Sequence, residues 1–232
     1  MTETVALVVG VGPGLGAALA QRFAEAGMAL AIARRNPGLL KELAEETGAR
    51  AYGCDVAEAA SVEALFESVE RDLGAPGLVA FNAGAYMRGG ILEIAPQEFE
   101  RCWRVGCMGG FLVGQAAAQR MVPAGKGTIL FTGATASLRG SAGFANLAVP
   151  KFGLRALAQS MAREFGPKGV HVAHIIIDGQ IAGEHPGYRA EERGEDAVLA
   201  PEAIAEAYYQ LHLQPRSAWT QELDLRPCME KF

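Results

Sequence analysis

Short runs of apolar residues alternate with amphipathic stretches along the whole chain. The runs at 5–9, 28–33, 49–54, 77–82, 127–131, 170–177 and 222–225 read as strands. Between them, 15–26, 61–73, 96–121, 151–165 and 201–213 carry apolar residues at helical spacing. Asn36-Pro37 supplies an N-cap and a first-turn proline for a further helix that closes at Gly48, and Ser61 is placed to cap the helix it begins. Strand–helix alternation of this kind predicts an α/β protein. Its expected form is a doubly wound parallel sheet of about seven strands, with about six helices on both faces. No long linker, internal repeat or low-complexity tract interrupts it, so one domain over 1–232 is expected.

Composition narrows the function classes. With 50% hydrophobic and 20% charged residues, the 232-residue chain matches a globular protein and excludes disordered, collagen-like and coiled-coil classes. A formal net charge of −5 without a Lys/Arg-rich run argues against nucleic acid or an anionic membrane as partner. The first residues show no secretory signal, and no stretch reaches about 18 uninterrupted apolar residues, so a cytoplasmic protein is expected. Cys54, Cys102, Cys107 and Cys228 lack C-x-x-C spacing and read as reduced packing residues. His171 and His174, three apart on a strand, face opposite ways and cannot chelate one metal together.

Chemistry concentrates in the glycines. Gly10-Val11-Gly12-Pro13-Gly14-Leu15-Gly16 lies between the first strand and the first helix. In that context glycines let the backbone approach a pyrophosphate at a helix N-terminus. The spacing Gly10-x-x-x-Gly14-x-Gly16 resembles the glycine loop of the short-chain dehydrogenase/reductase family, with Val9 where that family usually has Thr. Asp55-Val56, Asn82-Ala83-Gly84, Lys151 and the final strand region at 220–225 extend the resemblance over essentially the whole chain.

The resemblance implies a Rossmann-type fold and a bound dinucleotide. The family pattern gives Gly10, Gly12, Gly14, Leu15 and Gly16 to the pyrophosphate, Asp55 and Val56 to the adenine, and Asn82, Ala83 and Gly84 to the end of the fourth strand. It also sets Ile181 beside the nicotinamide carboxamide and Lys151 on the nicotinamide ribose. At the end of the second strand, where family members that use NAD carry Asp, this chain has Ala33-Arg34-Arg35. Two guanidinium groups in place of a carboxylate suit a 2′-phosphate, so NADP(H) is preferred over NAD(H).

The chain departs from the family at its chemistry. Four residues before Lys151 the family's tyrosine becomes Leu147; thirteen further back its serine becomes Ala134; its helix asparagine becomes Gly106. The enoyl-reductase variant, with tyrosine seven residues before the lysine, meets Phe144 instead, and the family's Pro-Gly after the sixth strand is Asp178-Gly179. Lys151 alone survives among the four catalytic positions. Thr132, Thr135, Ser137, Ser141, Asn146, Asp178, His185, Tyr188 and Tyr86 cluster near the expected site, and each reads as a structural or loop residue rather than a substitute acid.

The resemblance therefore implies an oxidoreductase that binds NADP(H) and a small-molecule substrate, with any hydride transfer proceeding without the usual Tyr/Ser acid-base pair. The alternative is a catalytically silent dinucleotide-binding sensor or assembly protein. The polar, Gly/Glu-rich segment between Asp178 and Pro201 occupies the place of the family's substrate lid. The long helices resemble those through which family members pair, and 114–118, rich in small residues, would allow close helix packing in a homodimer or homotetramer.

Overall fold

The computed structural model describes residues 4–183 and 195–229. Seven strands form one sheet, all paired in parallel: β1 (Val5–Val9), β2 (Ala29–Arg34), β3 (Arg50–Gly53), β4 (Leu78–Phe81), β5 (Gly127–Thr132), β6 (Val170–Ile177) and β7 (Glu222–Leu225). Their order is β3-β2-β1-β4-β5-β6-β7, so the chain reverses its winding direction between β1 and β4. β1 and β6 are buried at every position, as strands covered on both faces must be, while β3, at one edge, is short and largely exposed.

Alternate side chains feed two cores. Leu7, Val9 and Phe81 belong to one layer with Val113 and Leu154; Ala6, Val8 and Ile32 belong to the other with Leu19 and Tyr208. The helices that cover these layers are α1 (Leu15–Glu25), α2 (Lys41–Thr47), α3 (Ala59–Leu73), α4 (Pro96–Trp103), α5 (Gly109–Ala124), α6 (Ala145–Phe165) and α7 (Pro201–Leu213). Asn36 caps as expected, accepting from Gly38 N at 3.1 Å, but the turn it opens over Pro37–Leu40 is a 3-10 turn before α2. Gly48 closes α2 in the left-handed conformation.

Four expectations need correction. Ser61 does not cap α3, which starts at Ala59; its hydroxyl accepts instead from Asp55 N at 3.0 Å. The expected single helix over 96–121 is two, joined by a π turn at Arg104–Met108 that contains Gly106. α6 begins six residues before Lys151, with Pro150 inside it. That proline costs only the hydrogen bond to the Asn146 carbonyl near the first turn. The small residues of 114–118 face inward: a Cβ at Gly114 would meet Phe131 Cζ at 2.9 Å, and Ala116, Ala117 and Ala118 are buried. Any helix pairing must use other residues.

The cysteines also divide. Cys54 and Cys102 are buried, Cys107 is half-buried and Cys228 is exposed, so the packing role does not extend to Cys228. Among the described residues no helix is long and apolar enough to cross a membrane, and no group of His, Cys, Asp or Glu could hold a metal ion.

Candidate functional site

A cavity of about 510 Å³ opens at the carboxyl ends of β1 and β4, the position at which doubly wound sheets bind ligands. Gly10 and Gly12 form part of its floor. Gly10 has φ +92°, and a Cβ there would lie 2.3 Å from Ala83 N, so only glycine lets the β1 turn lie against the end of β4. Gly16 is constrained by space alone, since a Cβ there would lie 2.8 Å from Val11 Cα, and this seats α1 against the turn. At Gly12 and Gly14, by contrast, a Cβ would meet no protein atom within 4 Å. The open side of the loop lies at the amino terminus of α1, where backbone N–H groups are free to receive an anion.

Asn82, Ala83 and Gly84 line the cavity from β4. Asn82 does so indirectly, since its Nδ2 donates to the Gly10 carbonyl at 3.1 Å and clamps the glycine turn. Asp55 and Val56 line the far side, where Asp55 Oδ1 accepts from Ala57 N at 3.0 Å. Arg34 and Arg35 complete that end, and neither guanidinium has an ion pair or hydrogen bond among the described residues. Sequence reasoning missed Val11, Asn36, Cys54, Ala85 and Val105 as lining residues, although each directly adjoins a residue it singled out.

Five expected residues lie outside that lining: Gly14, Leu15, Gly16, Lys151 and Ile181. The Leu15 side chain is in the core, leaving only its backbone for a ligand, and Ile181 bridges to Leu199. Lys151 is 8% exposed and donates from Nζ to the Thr132 carbonyl at 2.6 Å. Burial without a carboxylate partner lowers its pKa to about 8.

Behind Lys151 lies a buried polar layer. Thr132 Oγ1 and Tyr208 OH are 2.8 Å apart, and burial pushes the Tyr208 phenol up. Ser137 Oγ and His174 Nε2 are 3.3 Å apart; burial, then the nearby Lys151 charge, lowers His174 to about 4.

At the three vacated positions, Ala134 and Leu147 are half-buried and Gly106 is buried in the π turn. The substitute candidates separate. Asn146 donates to the Met87 carbonyl at 2.6 Å and Tyr86 stacks on Phe144 with centroids 5.3 Å apart, so both join the 86–89 loop to the start of α6. Thr135 and Asp178 are brought together, with Thr135 Oγ1 donating to Asp178 Oδ1 at 2.5 Å. His185, Tyr188 and the segment 184–194 of the expected lid lie outside the described residues.

Comparison with known proteins agrees with this geometry. The family model for short chain dehydrogenase matches residues 4–182. D-threitol dehydrogenase of Mycolicibacterium smegmatis is 31% identical over 176 residues, covering 74% of this chain and 68% of that protein. A short-chain dehydrogenase from Rhodopseudomonas palustris is 40% identical with a TM-score of 0.83, covering 97% of this chain and 98% of its own. An alcohol dehydrogenase of Thermococcus sibiricus, complexed with 5-hydroxy-NADP, is 28% identical with a TM-score of 0.86, covering 99% and 98%.

Proposed function

Because the chain belongs to the short-chain dehydrogenase family, we propose that it is an NADP(H)-dependent oxidoreductase acting on a carbonyl/alcohol pair without the family's Tyr/Ser acid-base pair. The observation that carries the cofactor assignment is the pair Arg34 and Arg35. Two cations without partners among the described residues edge a cavity that the glycine turn leaves open. They are suited to a 2′-phosphate, and the Thermococcus sibiricus relative complexed with 5-hydroxy-NADP supports the same preference. The protein's own residues then divide the work. Gly10, Gly12, Gly14, Leu15 and Gly16 offer backbone to the pyrophosphate, Asp55 and Val56 take the adenine, and Asn82, Ala83 and Gly84 fix the turn.

Lys151 and Ile181 serve the nicotinamide end, where a bound nicotinamide accepts or supplies the hydride. Lys151 reaches a ribose hydroxyl by exchanging its charge-assisted bond to Thr132 O, which is worth about 1.5–3 kcal/mol. A second copy of the chain covers the outer face of α5 and α6, where Phe111, Val149 and Phe152 are each more than 40% exposed.

Calorimetric titration with NADPH and NADH tests this reading. Micromolar NADPH binding, clearly tighter than NADH, is expected; failure to bind either overturns it. Binding without turnover of any carbonyl or alcohol would instead favour the silent dinucleotide-binding reading, for which the empty positions Gly106, Ala134 and Leu147 speak.

A further inference from the structure

Three residues far apart in sequence meet at the carboxyl ends of β5, β6 and β7. Thr135 Oγ1 donates to Asp178 Oδ1 at 2.5 Å, and Arg226 Nη2 lies 2.8 Å from the other oxygen, Asp178 Oδ2. Asp178 is 6% exposed, and its backbone N–H donates to the Leu225 carbonyl at 2.8 Å. A carboxylate this deep is expensive to desolvate and stays only where its charge is matched and its oxygens are bonded. Both conditions hold here.

The hydroxyl that Asp178 holds is equally fixed. Thr135 follows Ala134, the vacated serine position, in a turn with little freedom. Gly133 N donates to the Ile175 carbonyl at 2.6 Å, and Ser137 N donates to the Ala134 carbonyl at 2.7 Å. Ala134 N donates to Ser137 Oγ at 3.1 Å, and a Cβ on Gly133 would come within 2.4 Å of His174 Cε1. Thr135 itself remains half-buried, not sealed. Since its hydrogen points to Asp178, its oxygen is left as an acceptor for a further donor.

We propose that Thr135 is the catalytic residue that replaces the family's tyrosine, acting as a proton relay between an alcohol substrate and Asp178; this rests on the oxidoreductase reading above. In oxidation the substrate O–H bond breaks and its proton passes to Thr135 Oγ1, while the Thr135 O–H bond breaks and that proton passes to Asp178 Oδ1. The O–H electron pair becomes the second bond of the carbonyl. The carbinol C–H pair leaves as hydride to the oxidised nicotinamide, so one alcohol is oxidised and one dinucleotide reduced. When product leaves, Asp178 returns its proton through Thr135 to entering water, and reduction runs the same path backwards. No free threonine alkoxide forms, which is why an ordinary hydroxyl suffices. Arg226 matches the Asp178 charge at the start and end of each cycle.

The test uses the full chain with NADP+ and a panel of cyclohexanol, 1-phenylethanol and 2,3-butanediol. Thr135→Val and Asp178→Asn are each expected to lower kcat by about 100- to 10,000-fold, the usual worth of a positioned proton-transfer group. NADP+ binding by calorimetry should change less than about twofold, and KM little, because an interaction made mainly in the transition state is lost. Thr135→Ser should retain most of kcat, and the double variant should be no slower than the slower single one. Where Asp178→Asn fails to fold, the Thr135→Val and Thr135→Ser pair decides alone. Turnover by Thr135→Val within about threefold of the parent overturns the relay and leaves the oxidoreductase reading standing. A parent protein that binds NADP+ yet turns over no alcohol of the panel overturns both.

Discussion

Gly106 packs its bare α-carbon against the Pro150 ring, so closely that a Cβ at Gly106 would lie 3.1 Å from Pro150 Cβ. The vacated asparagine position and the residue before Lys151 thus pack as one: a π turn on one side, a helix without one of its hydrogen bonds on the other. Restoring the family residue alone is expected to fail on steric grounds. Gly106→Asn should destabilise the protein by about 1–3 kcal/mol in urea unfolding, the usual cost of overpacking. Gly106→Asn with Pro150→Gly should recover part of it, because removing the Pro150 Cβ clears the contact and the new N–H can bond the Asn146 carbonyl. Equal destabilisation of the single and double variants would show that the two positions are independent.

Arg34 and Arg35 give a prediction in binding alone. A charge-assisted hydrogen bond to a phosphate contributes about 1.5–3 kcal/mol. Arg34→Ala or Arg35→Ala should therefore weaken NADPH by roughly tenfold or more while changing NADH less than about twofold. The parent's NADPH affinity should also fall as salt rises, since both cations are accessible. Equal losses for the two dinucleotides would assign the arginines to the adenosine or to nothing.

The elements most legible in sequence are those whose signal is local. The limits of β1, β6, α7 and β7 coincide with those expected: β1 is an unbroken apolar run, β6 is apolar apart from His171 and His174, and α7 is opened by Pro201. The start of α6 is not legible, because the helix begins six residues before Lys151 and carries inside it Pro150, a residue that disfavours a helix interior. The π turn at 104–108 has no pattern of its own. At the site, the glycine turn and the two arginines are readable because cavity-lining residues from one short loop stay adjacent in sequence. Thr135 and Asp178, 43 residues apart, were each visible but their contact was not, since it depends on β5 and β6 being neighbours in the sheet.

Stability should respond to pH through His174 and Lys151, and in the same direction. Both are bases whose folded pKa lies below the ordinary value, His174 at about 4 against 6.5 and Lys151 at about 8 against 10.5. The unfolded chain then binds more protons in each interval, so stability rises with pH across both. Falling from pH 6.5 to 4 should cost on the order of 3 kcal/mol through His174, since each pH step of one between the folded and unfolded values is worth about 1.4 kcal/mol. Rising from pH 8 to 10.5 should relieve a similar penalty at Lys151. Chemical denaturation of His174→Asn and Lys151→Met beside the parent isolates each contribution, and parallel pH profiles for parent and variant would refute it.

The vacated chemistry itself can be refilled. Leu147 and Ala134 are half-buried, not packed into the core, so Leu147→Tyr with Ala134→Ser places a phenol and a hydroxyl where the family keeps them. Lys151, four residues on from Leu147 and on the same helix face, would hold its charge near the new phenol and favour the phenolate. If the pocket is otherwise intact, reduction of a carbonyl panel with NADPH should rise by about 100-fold, the lower end of what a positioned acid contributes. The gain should survive Thr135→Val, because the tyrosine supplies its own route for the proton. A double variant that binds NADPH normally yet reduces the carbonyl panel no faster than the parent would mean that the site no longer holds a carbonyl in the family's orientation, leaving Thr135 and Asp178 as the route for the proton.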